Sequence, residues 1–303
     1  MLRVEISERG FMPNLATMLV GFERFASGLH RKSVQVGDHQ VYYSEGGQGE
    51  ETVVMVHGFS ASSDNWNRMA ARIGKRYRVI APDLPGWGES TRLDSASYSY
   101  PVQVERLHQL LERMGLRRFH LMGHSMGGGI SSRYASQYPG EVITLTLIAP
   151  HGLAEPEPSD LAQSVARGDN WLVPTTIPGV ERLLDKCFGK RPFIPGPVVK
   201  YLAQQVISRS EKTGKIFDEI QLNDPPLATQ LENIKAPTLV IWGDLDRLIH
   251  VSAAEGFKTG IKNSETLILR GSGHMPLMEN VRECVETWLA FIKRSGQAAE
   301  AAA

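Results

Sequence analysis

Two hydrophobic rhythms alternate along this chain, and together they predict its elements. Short apolar runs at residues 52–56, 78–81, 119–122, 142–149, 238–242 and 266–269 read as strands. The first is unbroken, as in strands buried on both faces. Between the runs, apolar positions three and four apart predict helices over residues 66–73, 102–114, 130–138, 252–258 and 281–292. Buried strands alternating with helices call for a parallel sheet covered on both faces. Two alternating runs, residues 33–36 and 40–44, precede a turn at Gly46-Gly47 and predict a hairpin at a sheet edge.

The rhythm stops at Pro150. From Gly152 to about Asn233 prolines are dense, no strand is legible, and apolar residues such as Trp171, Leu183, Phe188 and Phe193 scatter through helical pieces. This predicts a helical insertion between two strands of one sheet, lying over the C-terminal strand ends where open α/β sheets bind ligands. The organisation is then residues 1–30, an N-terminal amphipathic helix; 31–151 and 234–295, one α/β core; 152–233, a helical cap; and 296–303, a disordered tail.

The N-terminal helix, over residues 13–28, puts Leu15, Met18, Leu19, Phe22, Phe25 and Ala26 on one face. Such a face docks on the protein's own core or lies in a membrane or lipid-droplet surface; no lysine cluster stands opposite, which favours docking.

Composition changes this picture little. The chain has 303 residues, 42% of them hydrophobic and 22% charged, with 33 basic and 33 acidic side chains. No basic excess exists to attract nucleic acid. Cys187 and Cys284 have no metal or redox spacing and read as free thiols of a reducing compartment. No run approaches the roughly 20 apolar residues that cross a bilayer, and no signal peptide is legible. The expectation is a cytoplasmic protein, with membrane contact at most peripheral. Metal, phosphate and dinucleotide motifs are missing, so no cofactor is expected.

The chemistry centres on Gly123-His124-Ser125-Met126-Gly127, between a strand and a helix. A serine on a sharp strand-to-helix turn is strained, and the flanking glycines remove collisions, so its hydroxyl stands exposed. A serine hydroxyl is a weak nucleophile near neutrality and needs a base, itself oriented by an acid. Among nine histidines, His274 alone sits on a glycine-flanked loop directly after the last strand. The acid is Asp246, with Asp244 in reserve, both just past the strand at 238–242. One of the two is read as a turn-capping residue. Backbone amides of Phe59 and Met126 are the candidate oxyanion donors. His57, Gly58, His124 and Trp171 are candidate substrate contacts, although a strand-end histidine such as His57 is more often bonded to nearby backbone.

His57-Gly58-Phe59 with Trp66, the turn from Asp83-Leu84-Pro85 to Ser90, Gly123 to Gly128, Trp242 to Asp246, and Gly273-His274-Met275-Pro276-Leu277-Met278-Glu279 recur in the order of the α/β-hydrolases. The chain most resembles bacterial family V lipases and the related monoacylglycerol lipases. That resemblance implies an α/β-hydrolase fold: a mostly parallel eight-stranded sheet, helices on both faces, and a helical cap inserted after strand 6. It implies hydrolysis of a small hydrophobic ester, glycerides among the candidates, without a cofactor. The N-terminal helix stands where some relatives have a membrane anchor, but no spanning segment exists there. Two other readings stay open. One is a carbon–carbon bond hydrolase of ring-cleavage products, with Arg167, Arg182 and Arg191 available for substrate carboxylates. The other is a binding module that retains the scaffold. Dehalogenase and epoxide hydrolase readings fall away, since similar enzymes have aspartate where Ser125 stands.

Overall fold

The computed structural model describes residues 15–222 and 225–302, with side chains over 21–221 and 225–298. Eight strands form one sheet: β1 (Leu29–Val36), β2 (His39–Gly46), β3 (Thr52–Val56), β4 (Arg78–Pro82), β5 (Phe119–His124), β6 (Val142–Ile148), β7 (Thr238–Gly243) and β8 (Ser264–Leu269). Their spatial order is β1-β2-β4-β3-β5-β6-β7-β8. Strand β2 runs against its neighbours β1 and β4, and every other pairing is parallel. This is the architecture the sequence predicts.

The period of two explains the layers. Val54 and Val56 of β3 point to one face, joining Leu121, Leu147 and Val240. That face is covered by α3 (Tyr100–Arg113), α4 (Met126–Gln137) and α9 (Ala253–Gly260), through residues such as Leu107, Tyr134 and Phe257. Val53 and Met55 point the other way, against Met69 of α2 (Asn67–Ile73) and Trp288 of α11 (Val281–Ala302). Both faces of the central strands are therefore dry, which is why those strands read as continuous apolar runs.

Between β6 and β7 lie α5 (Asp160–Ala166), α6 (Ile177–Cys187), α7 (Gly196–Ile207) and α8 (Ser210–Leu222). The two strands nevertheless pair directly, Leu145 opposite Thr238 through Ile148 opposite Ile241. The intervening helices meet loops at the C-terminal ends of several strands. Phe217 of α8 packs on Phe59 after β3, the Glu219 carboxylate accepts from the Tyr98 amide at 2.8 Å, and the Cys187 carbonyl accepts from the His274 amide at 2.8 Å.

Three details depart from the sequence reading. Helix α4 starts at Met126, directly after Ser125, although three glycines follow. Those glycines weaken helix propensity but permit close packing, since a Cβ on Gly128 would lie 2.7 Å from Pro150 and one on Gly129 2.6 Å from the His151 carbonyl. The segment read as a disordered tail continues α11 to Ala302 instead; its alanines and glutamate are strong helix formers that extend a helix already docked. In α1 (Leu15–Ser27) the described side chains that reach the rest of the chain are polar. Arg24 makes a two-pronged pair with Asp64 (2.7 and 2.8 Å), Glu23 pairs with Arg68, and Phe22 and Phe25 are 67% and 85% exposed. Over these described side chains, ion pairs make the contacts where apolar docking is expected. Residues 13 and 14, and the side chains of Leu15, Met18 and Leu19, lie outside the described residues.

Candidate active site

Ser125 sits between β5 and α4 with φ 54° and ψ −121°, outside the comfortable regions for an L-residue. Holding a residue there costs about 1–3 kcal/mol and needs surroundings that over-determine it. Its amide donates to the Ile148 carbonyl (3.0 Å), and its carbonyl accepts from Gly129 (3.1 Å) and His151 (3.0 Å). The flanking glycines are obligatory. A Cβ on Gly123 would fall 2.3 Å from the Gly127 carbonyl, and one on Gly127 2.2 Å from that of Val56. The turn is held tight between neighbouring strands, and Ser125 stays half-buried while the residues around it are buried.

The His274 loop begins after β8. The His274 ring is buried, and its Nδ1 lies 2.8 Å from Asp246 Oδ2. Every acceptor position of Asp246 is in use. Oδ1 accepts from the amides of Leu248 (2.8 Å) and Ile249 (3.0 Å), and Oδ2 also accepts from the Trp242 indole (3.1 Å). A carboxylate so supplied with donors is held in one orientation and fixes the imidazole with Nδ1–H toward it. The basic Nε2 is then the ring's unspent nitrogen: among the described residues it makes no hydrogen bond. Asp244 is exposed and accepts from the Gly271 amide at 2.6 Å. It caps the turn, and only Asp246 reaches the imidazole.

The serine turn and the histidine loop are joined through His124. Its Nε2–H donates to the His274 carbonyl at 2.8 Å, and the two rings lie 4.9 Å apart. Burial, and then the neighbouring His274, push the His124 imidazole down to about 3, so it is neutral. His124 therefore braces the His274 loop, where substrate contact is expected. His57 needs the same correction. It is fully buried, with Nδ1–H donating to the Gly58 carbonyl (2.7 Å) and Nε2 accepting from Leu84 (3.0 Å), so no ring nitrogen remains for a ligand. Burial lowers its pKa. Trp171 is buried in the larger apolar cluster, with the Arg182 guanidinium 5.9 Å over its ring.

Met126 opens α4, so its amide is among the unpaired donors of a helix start. Among the described residues, neither it nor the Phe59 amide donates to a protein acceptor. Gly58 gives the loop its approach: a Cβ there would sit 3.1 Å from Ser125 Cβ and 3.1 Å from His124 Nδ1. The Phe59 ring packs edge-on against Trp87 (4.8 Å) and Phe217 (6.0 Å).

Sequence reasoning missed three contributors. The Cys187 carbonyl carries no side-chain signal, and Phe217 lies in the segment whose pattern is weakest. Glu279 stands within the recurring histidine motif, but nothing in its spacing shows what it accepts. Both cysteines are free, with thiols pushed up to about 12 by burial, so neither is a nucleophile near neutrality. Among the described residues no cluster of side chains could hold a metal ion.

A strained hydroxyl at a helix start, an imidazole with one nitrogen committed and one open, and two unpaired amides are parts able to carry out acyl transfer. Comparison with known proteins accords with this. Residues 51–281 match the family model described as the alpha/beta hydrolase fold. Lipase 1 of Psychrobacter immobilis is 32% identical over 92% of this chain and 89% of its own length. A monoacylglycerol lipase of Xenopus laevis is 33% identical over 89% of this chain and 84% of its own. The crystal structure of a membrane phospholipase A, described as a bacterial virulence factor, superposes with a TM-score of 0.90 at 36% identity, covering 93% of this chain and 91% of that one. The chain belongs to the α/β-hydrolase family and is a hydrolase of its esterase and lipase branch.

Proposed function

We propose that Ser125, His274 and Asp246 form a catalytic triad that cleaves acyl esters of lipids, glycerides or related glycerol esters, through an acyl-enzyme. Ser125 Oγ attacks the ester carbonyl while His274 Nε2 takes its proton. Asp246 holds the ring and stabilises its positive charge, and the Phe59 and Met126 amides receive the oxyanion. The His274 proton then passes to the leaving alcohol, and water releases the acyl group by the same route. The observation that carries this reading is the Asp246–His274 pair, whose Nε2 is unspent in a loop joined to the strained Ser125 turn. The helices between β6 and β7 act as the cap, and Phe59, Trp171 and Phe217 supply apolar lining for an acyl chain. Likeness to glyceride and phospholipid hydrolases supports a lipid ester over a small polar one.

The carbon–carbon hydrolase reading loses ground because two of its arginines are engaged. Arg182 pairs with Asp169 (2.7 Å) and Arg191 with Asp185 (2.8 Å). The test is turnover of p-nitrophenyl butyrate by Ser125→Ala, expected to fall about 10⁴-fold or more; hydrolysis near the wild-type rate would refute the triad.

The same proposal extends to the surface. No described helix is long and apolar enough to cross a membrane, yet Phe22 and Phe25 point outward from α1 and Phe193 is 92% exposed. These aromatics suit peripheral contact with a lipid surface. Burying one Phe contributes about 1.5–3 kcal/mol. Phe22→Ser with Phe25→Ser should therefore weaken vesicle co-sedimentation at least about tenfold, while leaving turnover of a soluble ester unchanged. Equal sedimentation of the two proteins would remove the membrane contact.

A further inference from the structure

We infer that Glu279 is a positioning residue for the general base, stapling the His274 loop to the C-terminal end of α6; the inference rests on the triad reading above. Glu279 ends α10 (Pro276–Glu279), one turn beyond His274, where its own amide donates to the Met275 carbonyl at 2.9 Å. Its carboxylate faces two chain segments at once. Oε1 accepts from the Gly273 amide at 2.8 Å, immediately before the histidine. Oε2 accepts from the Gly189 amide at 2.8 Å, just past the end of α6, with Lys190 further off at 3.4 Å.

Two independent contacts lie along the same seam. The His274 amide donates to the Cys187 carbonyl at 2.8 Å. Gly273 and Gly189 are packed with no room for a side chain: a Cβ on Gly273 would fall 2.4 Å from the Gly189 nitrogen, and one on Gly189 2.2 Å from the Gly271 carbonyl. Three attachments thus run between residues 187–190 and 273–274; the Cys187 and His274 contact is backbone to backbone, and the Glu279 carboxylate is the side chain that bridges the two segments.

The chemistry follows from geometry. His274 has its side chain fixed at Nδ1 by Asp246 and its carbonyl fixed by His124. The backbone just before it is fixed by the carboxylate at Gly273 and by Cys187. Removing Glu279 leaves the imidazole chemically intact but frees the loop that carries it. A displacement of about 1 Å at the reacting atoms costs on the order of 10²-fold in rate. Glutamine cannot substitute, because its single acceptor oxygen serves one segment while its NH₂ faces the donor of the other.

The experiment compares Glu279→Gln and Glu279→Ala with wild type on p-nitrophenyl butyrate, and measures amide hydrogen exchange at residues 187–190 and 271–274. The glutamine variant preserves shape, and thermal melts identify the variants folded at the assay temperature. The expected result is a fall in kcat of about 10–100-fold, with KM within about threefold and faster exchange at both segments. A folded glutamine variant with wild-type kcat, or with its loss confined to KM, or with unchanged exchange at residues 187–190, overturns the inference. Ser125→Ala run alongside separates the two claims. If it is inactive while Glu279→Gln is normal, only the staple fails; if it is active, the triad itself fails.

Discussion

Among the described residues two buried aspartate–histidine neighbourhoods lie at the C-terminal ends of strands, and one of them keeps an open ring nitrogen. After β4, Asp83 is buried beside His57. Its Oδ2 accepts from the Arg31 guanidinium (2.5 Å) and the Glu89 amide (2.9 Å), and its Oδ1 from the Ser63 amide (2.7 Å). Arg31 holds the Asp83 carboxyl below the usual range against the opposing effect of burial. The His57 ring is spent on the backbone at both nitrogens. After β7, Asp246 is equally well supplied with backbone and indole donors, but its histidine keeps Nε2 free. Burial, an aspartate and an imidazole are common to both. What distinguishes the pair we propose as catalytic is the ring nitrogen that the fold leaves without work.

The largest expected effects set these two aspartates against each other. Asp246→Asn should keep the fold, since an amide oxygen still accepts from Leu248 and Ile249, while kcat drops on the order of 10⁴-fold. Asp83→Asn should do the reverse. It leaves Arg31 with Glu89 (3.3 Å) as its remaining counter-charge and lowers unfolding free energy by about 2 kcal/mol, discounted from fully buried pairs because Arg31 is partly exposed, with kcat within about tenfold. Denaturant unfolding and ester turnover on the same preparations read both axes. If Asp83→Asn abolished kcat in a folded protein, the contrast would collapse.

A smaller effect concerns the spent rings. His124 is pushed down to about 3 and His151 to about 4, both chiefly by burial. His151 Nδ1 lies 2.8 Å from the Tyr100 hydroxyl. A histidine whose folded pKa is lowered contributes stability in full above its unfolded value of about 6.5. That contribution is lost as pH falls toward the folded value. Melting temperature should therefore drop between pH 6.5 and 4. His151→Gln, which keeps an acceptor for Tyr100, should show a shallower drop than wild type, and parallel curves would contradict this. Neither ring protonates in the neutral range, so the acid limb of the activity profile is not theirs.

How much of this was legible in the sequence follows the same physics. The β3, β5, β6 and β7 runs are apolar on both faces because both faces are covered, and that pattern is local to each strand. Gly123 and Gly127 were readable because a tight strand-to-helix turn excludes a Cβ at those places. Sequence position does not separate Asp246 from Asp244, since both follow the same strand, and it takes the fold to aim one inward at Trp242 and His274. The backbone bonding of His57 is half legible, since its Gly58 partner is adjacent in the chain, but its Leu84 partner and the His274 carbonyl that His124 meets lie 27 and 150 positions away. The ion pairs of α1 are hidden for a similar reason: Arg24 and Glu23 find Asp64 and Arg68 across about forty positions, which no helical period records.

The central claim is that the nitrogen left unspent on His274 activates Ser125. Intact-mass and peptide mapping after exposure to a fluorophosphonate tests it most directly. The account predicts a single phosphonyl adduct on the peptide bearing Ser125, formed by the wild type and slowed by orders of magnitude in His274→Ala. An adduct on another residue, or equal labelling rates in the two proteins, would contradict it.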